Sequence, residues 1–257
     1  MSKAVMTIHG FLTTTDDFGR LNQYLDHYDE IAVVQIPGHN GKTNFSLFTM
    51  QSTINTVLST FDTLAKKHDQ VDVIGFSMGG ALAQYLCARR PVGKVVLMAP
   101  SNKFLNVKFP FLWTKFFVNL NKQTIRQTEG SKRAKRRQAK AAAKPYWKDV
   151  GYSIKMAFGR LLPNISLATF STFSHMMSMI NGVVEDKGTI DTPCLLIHGG
   201  ADELVPIGSI NFVKKHFVNI QQYKVYDGVG HGMLYSHQDL PIIQDIAQFL
   251  CGQTDRQ

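Results

Sequence analysis

The chain has 257 residues, of which 44% are hydrophobic and 18% charged, with 20 Gly and 9 Pro. This composition excludes a disordered, collagen-like or low-complexity protein and provides for one sizeable core. The formal charge of +9 is localised: residues 101–187 hold 16 Lys/Arg against 4 Asp/Glu, a net +12, so the rest of the chain sums to −3.

In chain order, short β-branched runs alternate with segments of helical period. The runs are Ala4 to Ile8, Ile31 to Ile36, Val71 to Ile74, Lys94 to Ala99, Cys194 to His198 and Gln222 to Tyr226. Few of them alternate in polarity, as is expected of parallel strands covered on both faces. Helices are expected over Asp17 to Tyr28, Leu47 to Lys67, Met78 to Arg89, Ile207 to Phe217 and Pro241 to Cys251. In the second, Leu47, Met50, Ile54, Val57, Leu58, Phe61 and Leu64 recur every three or four residues and form one apolar stripe. The third stops before Pro91, and the last opens on Pro241.

The alternation breaks between Pro100 and Ile190. This stretch holds Phe104, Phe109, Phe111, Trp113, Phe116 and Phe117, the basic run Lys132, Arg133, Lys135, Arg136, Arg137, Lys140 and Lys144, and a helical pattern over Ile165 to Ile180. An insertion forming a helical cap is expected over 101–189, with the core over 1–100 and 190–257. The cysteines Cys87, Cys194 and Cys251 are odd in number, widely spaced and set in apolar runs, which suits buried thiols in a reducing compartment. The opening residues fall short of a signal sequence, and no run reaches the ~18 apolar residues of a membrane helix, so a soluble cytoplasmic protein is expected.

Gly75-Phe76-Ser77-Met78-Gly79 fits the pattern G-x-S-x-G. Composition alone gives roughly one such match per ten chains of this length, so the bare pattern is weak. Its context is specific: a buried strand precedes it and a helix follows. On that turn a serine is held in a strained conformation that exposes its hydroxyl, and bulkier flanking residues would collide with neighbouring backbone.

A serine hydroxyl needs a general base and a group to orient that base. Val229-Gly230-His231-Gly232 follows the last strand, where the glycines let an imidazole project from a loop. Of the other histidines, His9 and His198 sit at strand ends, where bonding to backbone is the ordinary role. His39 reads as a turn residue, and His27, His68, His175, His216 and His237 read as solvated. The acid belongs between serine and histidine, at the end of a strand. Asp202, 29 residues before His231, fits, with Glu203 as the fallback; the other strand end, Pro100-Ser101-Asn102, offers no carboxylate. Backbone N–H groups of Met78 and Phe11 are the candidate oxyanion donors, Gly10 permitting the turn that aims the second.

His9-Gly10-Phe11, Pro37-Gly38-His39, Gly75 to Gly79, His198-Gly199 with Asp202 and Val205-Pro206, and Gly230-His231 resemble the α/β-hydrolase superfamily, within it bacterial carboxylesterases and monoacylglycerol-lipase-like enzymes. The likeness covers 1–100 and 190–257. Two departures stand out: the first strand already carries His9-Gly10, so the two strands that precede it in the family are missing, and Asn40 replaces the second glycine of Pro-Gly-His-Gly. The resemblance implies an α/β-hydrolase fold with a mostly parallel six-stranded sheet in the order second, first, third, fourth, fifth, sixth. It implies cleavage of a small-molecule carboxylic ester through an acyl-enzyme, with Ser77, Asp202 and His231 as catalytic residues, Phe11 and Met78 as the oxyanion hole, and no metal or organic cofactor. Thioesterase and monoacylglycerol lipase are the alternatives among enzymes, and a basic membrane- or ligand-binding module on the same scaffold is the alternative outside them. For the basic run a solvated helix face is the default and weak contact with an anionic membrane the alternative. It has no aromatic interleaving, so nucleic acid is not expected as a partner.

Overall fold

The computed structural model describes residues 1–13, 15–39, 44–103, 167–235 and 239–252. Six strands form one fully parallel sheet: β1 (Lys3–Ile8), β2 (Glu30–Val34), β3 (Gln70–Phe76), β4 (Val95–Met98), β5 (Cys194–Gly199) and β6 (Ile220–Tyr226), in the spatial order β2-β1-β3-β4-β5-β6. This is the order expected from the sequence. Among the described residues the α-helices are α1 (Met50–Ala65), α2 (Met78–Arg89), α3 (Leu167–Lys187), α4 (Gly208–His216) and α5 (Asp239–Cys251). None of them is long and apolar enough to cross a membrane.

The pleat sends alternate residues of each central strand to opposite layers. On one face Ala4, Met6 and Ile8 of β1, with Val71 and Val73 of β3, pack in one apolar cluster with α1, α2, α3 and α4. On the other, Val5, Ile74, Phe76, Val96, Met98, Leu195 and Ile197 meet Phe18, Leu21, Leu25 and the α5 residues Ile242, Ile243, Ile246, Phe249 and Leu250. Burial on both faces explains why β1, β3, β4 and β5 read as continuous apolar runs. The edge strand β6 alternates between half-buried and exposed residues instead.

Four sequence expectations change. Residues Thr15–Tyr24 form 3-10 helix rather than an α-helix over 17–28, broken at Gly19, whose φ of +46° lies in the left-handed region. The second helix starts at Met50 because Thr49 caps it, so Leu47 and Met50 are exposed and the buried stripe begins a turn later at Ile54. Within the stretch assigned to a cap, α3 belongs to the core layer: Phe173, Met176, Met177, Ile180 and Val184 are buried with α2 in the first cluster. α3 thus packs with the helical layer that covers the sheet. The rest of that insertion, 104–166, including the aromatic and basic runs, lies outside the described residues, as do Asn40 and His237. Last, Cys87 and Cys194 are buried as expected but Cys251 is exposed.

Candidate active site

All strands point the same way, so β1, β3, β5 and β6 deliver their following loops to one end of the sheet. The strand order reverses between β1 and β3, and open parallel sheets bind ligands at such a point. Ile8 of β1 pairs with Gly75 of β3, which sets the loop after β1 beside the turn after β3.

That turn is strained. Ser77 has φ +54° and ψ −115°, a region a non-glycine residue occupies only when its surroundings force it. Four hydrogen bonds fix its peptide units: Ser77 N–H donates to Met98 O at 2.9 Å, and the N–H groups of Gly80, Ala81 and Ser101 donate to Ser77 O at 2.9, 3.3 and 3.1 Å. The glycines answer a steric demand. A Cβ at Gly79 would stand 1.9 Å from the carbonyl oxygen of Ile8, and one at Gly75 would stand 2.3 Å from that of Gly79.

Ser77, His231 and Asp202, from three loops, meet at this end. His231 Nε2 lies 3.0 Å from Ser77 Oγ, and its Nδ1 lies 2.8 Å from Asp202 Oδ2. With Asp202 ionised, Nδ1 carries the proton that it donates, which leaves Nε2 as acceptor for the serine hydroxyl. Leu204 and Val205 N–H groups donate to Asp202 Oδ1 at 2.9 and 2.8 Å, so both carboxylate oxygens are satisfied and the rotamer is fixed. Ser77 and His231 and the side chain of Asp202 are nearly out of solvent, which strengthens each charge-bearing contact.

The fallback acid is placed differently. Glu203 is buried, and its Oε2 accepts the backbone N–H of His231 at 3.2 Å rather than reaching the ring. Burial holds its carboxyl above the usual range.

On the other side of Ser77 is the loop after β1. A Cβ at Gly10 would come 3.3 Å from Ser77 Cβ, so Gly10 allows the close approach that sets Phe11 next to the serine. The N–H of Met78 belongs to the first residue of α2, at the positive end of the helix. Among the described residues no carbonyl takes the N–H of Phe11 or of Met78. The Phe11 ring stacks on Phe173 of α3, with centroids 4.5 Å apart, and also touches Phe48 and Phe170. An aromatic cluster thus forms around Phe11, the residue after Gly10, built partly from a helix that the sequence placed in the cap.

Four other histidines are buried within the fold. His9 bonds Gly10 O at 2.9 Å and His39 bonds Pro37 O at 3.2 Å; burial lowers each ring to a pKa of about 4, so both are neutral. His39 closes a turn, as expected, its N–H donating to Ile36 O at 3.1 Å, and its ring is buried among Phe11, Phe45 and Phe48. His216 is likewise buried rather than solvated and bonds Gly188 O. His198 is held below the usual range by burial. No group of three or more potential ligands that could hold a metal occurs among the described residues.

Sheet order, helical layers and the turn at Ser77 define an α/β-hydrolase. The chain belongs to the family described as serine aminopeptidase, S33, whose model matches residues 1–238. It is similar to a pimeloyl-[acyl-carrier protein] methyl ester esterase of Neisseria meningitidis serogroup C, with 24% identity over 254 residues, covering 92% of this chain and 90% of that protein. Among solved structures, the monoacylglycerol lipase of Paleococcus ferrophilus superposes with a TM-score of 0.65 at 16% identity, covering 98% of this chain and 95% of that one. A metagenome-derived lipolytic enzyme from a study of LipS and LipT gives a TM-score of 0.65 at 12% identity, with coverage of 98% and 95%. The protein is a hydrolase of this fold.

Proposed function

We propose that the protein cleaves carboxylic esters through an acyl-enzyme formed on Ser77. What supports this most is the unbroken contact chain from Ser77 Oγ through His231 to Asp202, set on a strained turn between a buried strand and a helix. In this reading His231 Nε2 takes the hydroxyl proton as Ser77 Oγ attacks the ester carbonyl. Asp202 holds the tautomer and stabilises the imidazolium. The negative charge on the carbonyl oxygen falls to the N–H groups of Phe11 and Met78, where preorganised donors need no rearrangement. The imidazolium returns its proton to the departing alcohol; water, activated by the same imidazole, then releases the acid and frees Ser77.

The apolar cluster around Phe11, whose neighbour Gly10 lies against Ser77, supports an apolar acyl group over the free ammonium of an aminopeptidase substrate. A panel of p-nitrophenyl esters from acetate to dodecanoate, run beside L-leucine p-nitroanilide, tests this. Ester turnover that disappears in Ser77→Ala is expected; faster turnover of the anilide overturns the ester reading. Thioesters and monoacylglycerols in the same panel decide between the neighbouring activities.

A second reading concerns the form in which the ester arrives. The Neisseria relative is named for an ester on an acyl-carrier protein, and the excess of basic residues over 101–187 would attract an acidic carrier. Replacing Lys135, Arg136 and Arg137 together should then spare small neutral esters and weaken turnover of an ester on an acidic carrier. If the run is only a solvated face, neither substrate responds. If it meets an anionic membrane, only vesicle association falls.

A further inference from the structure

The acid next to Asp202 has no part in the proton path, yet it is buried and aimed at the same histidine. From the geometry we infer that Glu203 is a positioning residue for His231, gripping its main chain while Asp202 grips its ring; this rests on the triad reading above. Two adjacent residues of the loop after β5 thus hold one histidine at two points: Asp202 Oδ2 is 2.8 Å from Nδ1, and Glu203 Oε2 is 3.2 Å from the backbone nitrogen. A side chain fixed only at its ring can still swing with its backbone. Pinning the N–H removes that freedom and sets the angle at which Nε2 meets Ser77 Oγ.

The histidine loop is built around this contact. A Cβ at Gly230 would come 2.8 Å from Glu203 Oε2, so glycine before His231 lets the carboxylate keep its place on the backbone nitrogen, and a larger residue would displace it. The same loop is tied to the β5 loop by Gly200 N–H to Tyr226 O at 2.8 Å and Ala201 N–H to Val229 O at 2.9 Å, and Glu203 adds a contact from the β5 loop to the residue that bears the imidazole. A buried carboxylate is costly to keep, and here it is kept on a main-chain donor rather than on a cation.

Glu203→Ala frees that N–H, and kcat for a soluble ester should fall roughly 10- to 100-fold with KM nearly unchanged, since misplaced geometry affects the transition state and not apolar binding. Glu203→Gln keeps an oxygen acceptor in place and should restore kcat to within about threefold of the wild type. Gly230→Ala, which pushes the carboxylate aside without removing it, should reproduce the kcat loss and serves as the second variant where Glu203→Ala does not fold. A fluorophosphonate, whose attack by Ser77 needs His231 but no substrate pocket, should label Glu203→Ala slowly and Glu203→Gln at near the wild-type rate. Loss in Glu203→Gln as large as in Asp202→Asn would make Glu203 an acid of the triad and overturn the inference. Unchanged kcat in both Glu203→Ala and Gly230→Ala would overturn it too. A wild type that fluorophosphonate does not label at all would instead overturn the triad reading on which it rests.

Discussion

At the scale of residues, the site is made by single atoms in places where nothing else fits. Gly79 lies so close to β1 that any Cβ strikes the Ile8 carbonyl, a backbone atom with no freedom to retreat. Gly79→Ala is therefore expected to cost at least ~2 kcal/mol, seen as a lower denaturation midpoint at unchanged slope. Asp202→Asn keeps the shape of the side chain but removes the charge and the preferred tautomer. Turnover should fall by roughly 10³- to 10⁴-fold with the melting temperature little changed, checked by steady-state kinetics beside a thermal melt. The residues brought together here were legible in sequence because each sits in a loop that follows a strand, with glycines in or next to that loop, and parallel strands deliver such loops to one end. The part played by Glu203 was not legible, because sequence does not tell whether a carboxylate in a loop turns to a ring or to a main chain. The burial of His39 and His216 escaped for a related reason: a histidine beside a turn or on an amphipathic helix reads as polar until packing surrounds it.

At the scale of elements, helix α1 shows how a boundary escapes a periodicity argument. Its apolar spacing extends back to Leu47, but Thr49 and Ser52 form a reciprocal capping box, in which Thr49 Oγ1 accepts from Ser52 N–H at 3.0 Å and Ser52 Oγ from Thr49 N–H at 3.2 Å. The helix can start no earlier than the cap. Thr49→Ala is expected to cost about 1 kcal/mol, a fall of roughly 2–4 °C in melting temperature. Helix α3 teaches the complementary lesson. Its pattern was legible, but not its layer, because an apolar face does not say whether it covers the sheet or a cap. Its Phe173 is buried and stacked on Phe11, so Phe173→Ala should cost ~3–5 kcal/mol in chemical denaturation and lower kcat as well, through the Phe11 loop.

At the scale of the whole molecule, neutral buried histidines tie stability to pH. His9 and His39 are held near pKa 4 by burial, whereas in the unfolded chain each ring titrates near 6.5. Between those values the unfolded state binds protons that the folded state refuses, so stability is full above about 6.5 and is lost as pH falls toward 4. The loss is on the order of 3 kcal/mol for each ring. His39→Phe removes a buried Nε2 that has no partner among the described residues and suits its aromatic neighbours, so it should hold stability at neutral pH within about 1 kcal/mol and melt with a weaker dependence on pH between 7 and 5. An undiminished dependence would clear His39 of that role.

The chemistry itself rests on Ser77 being a nucleophile activated by His231. The most direct measurement is intact-mass and peptide-mapped labelling with a fluorophosphonate at neutral pH. One adduct per chain, located on Ser77 and absent from both Ser77→Ala and His231→Ala, is the expected result. No adduct on the folded wild type, or one on another residue that survives Ser77→Ala, would contradict the acyl-enzyme mechanism.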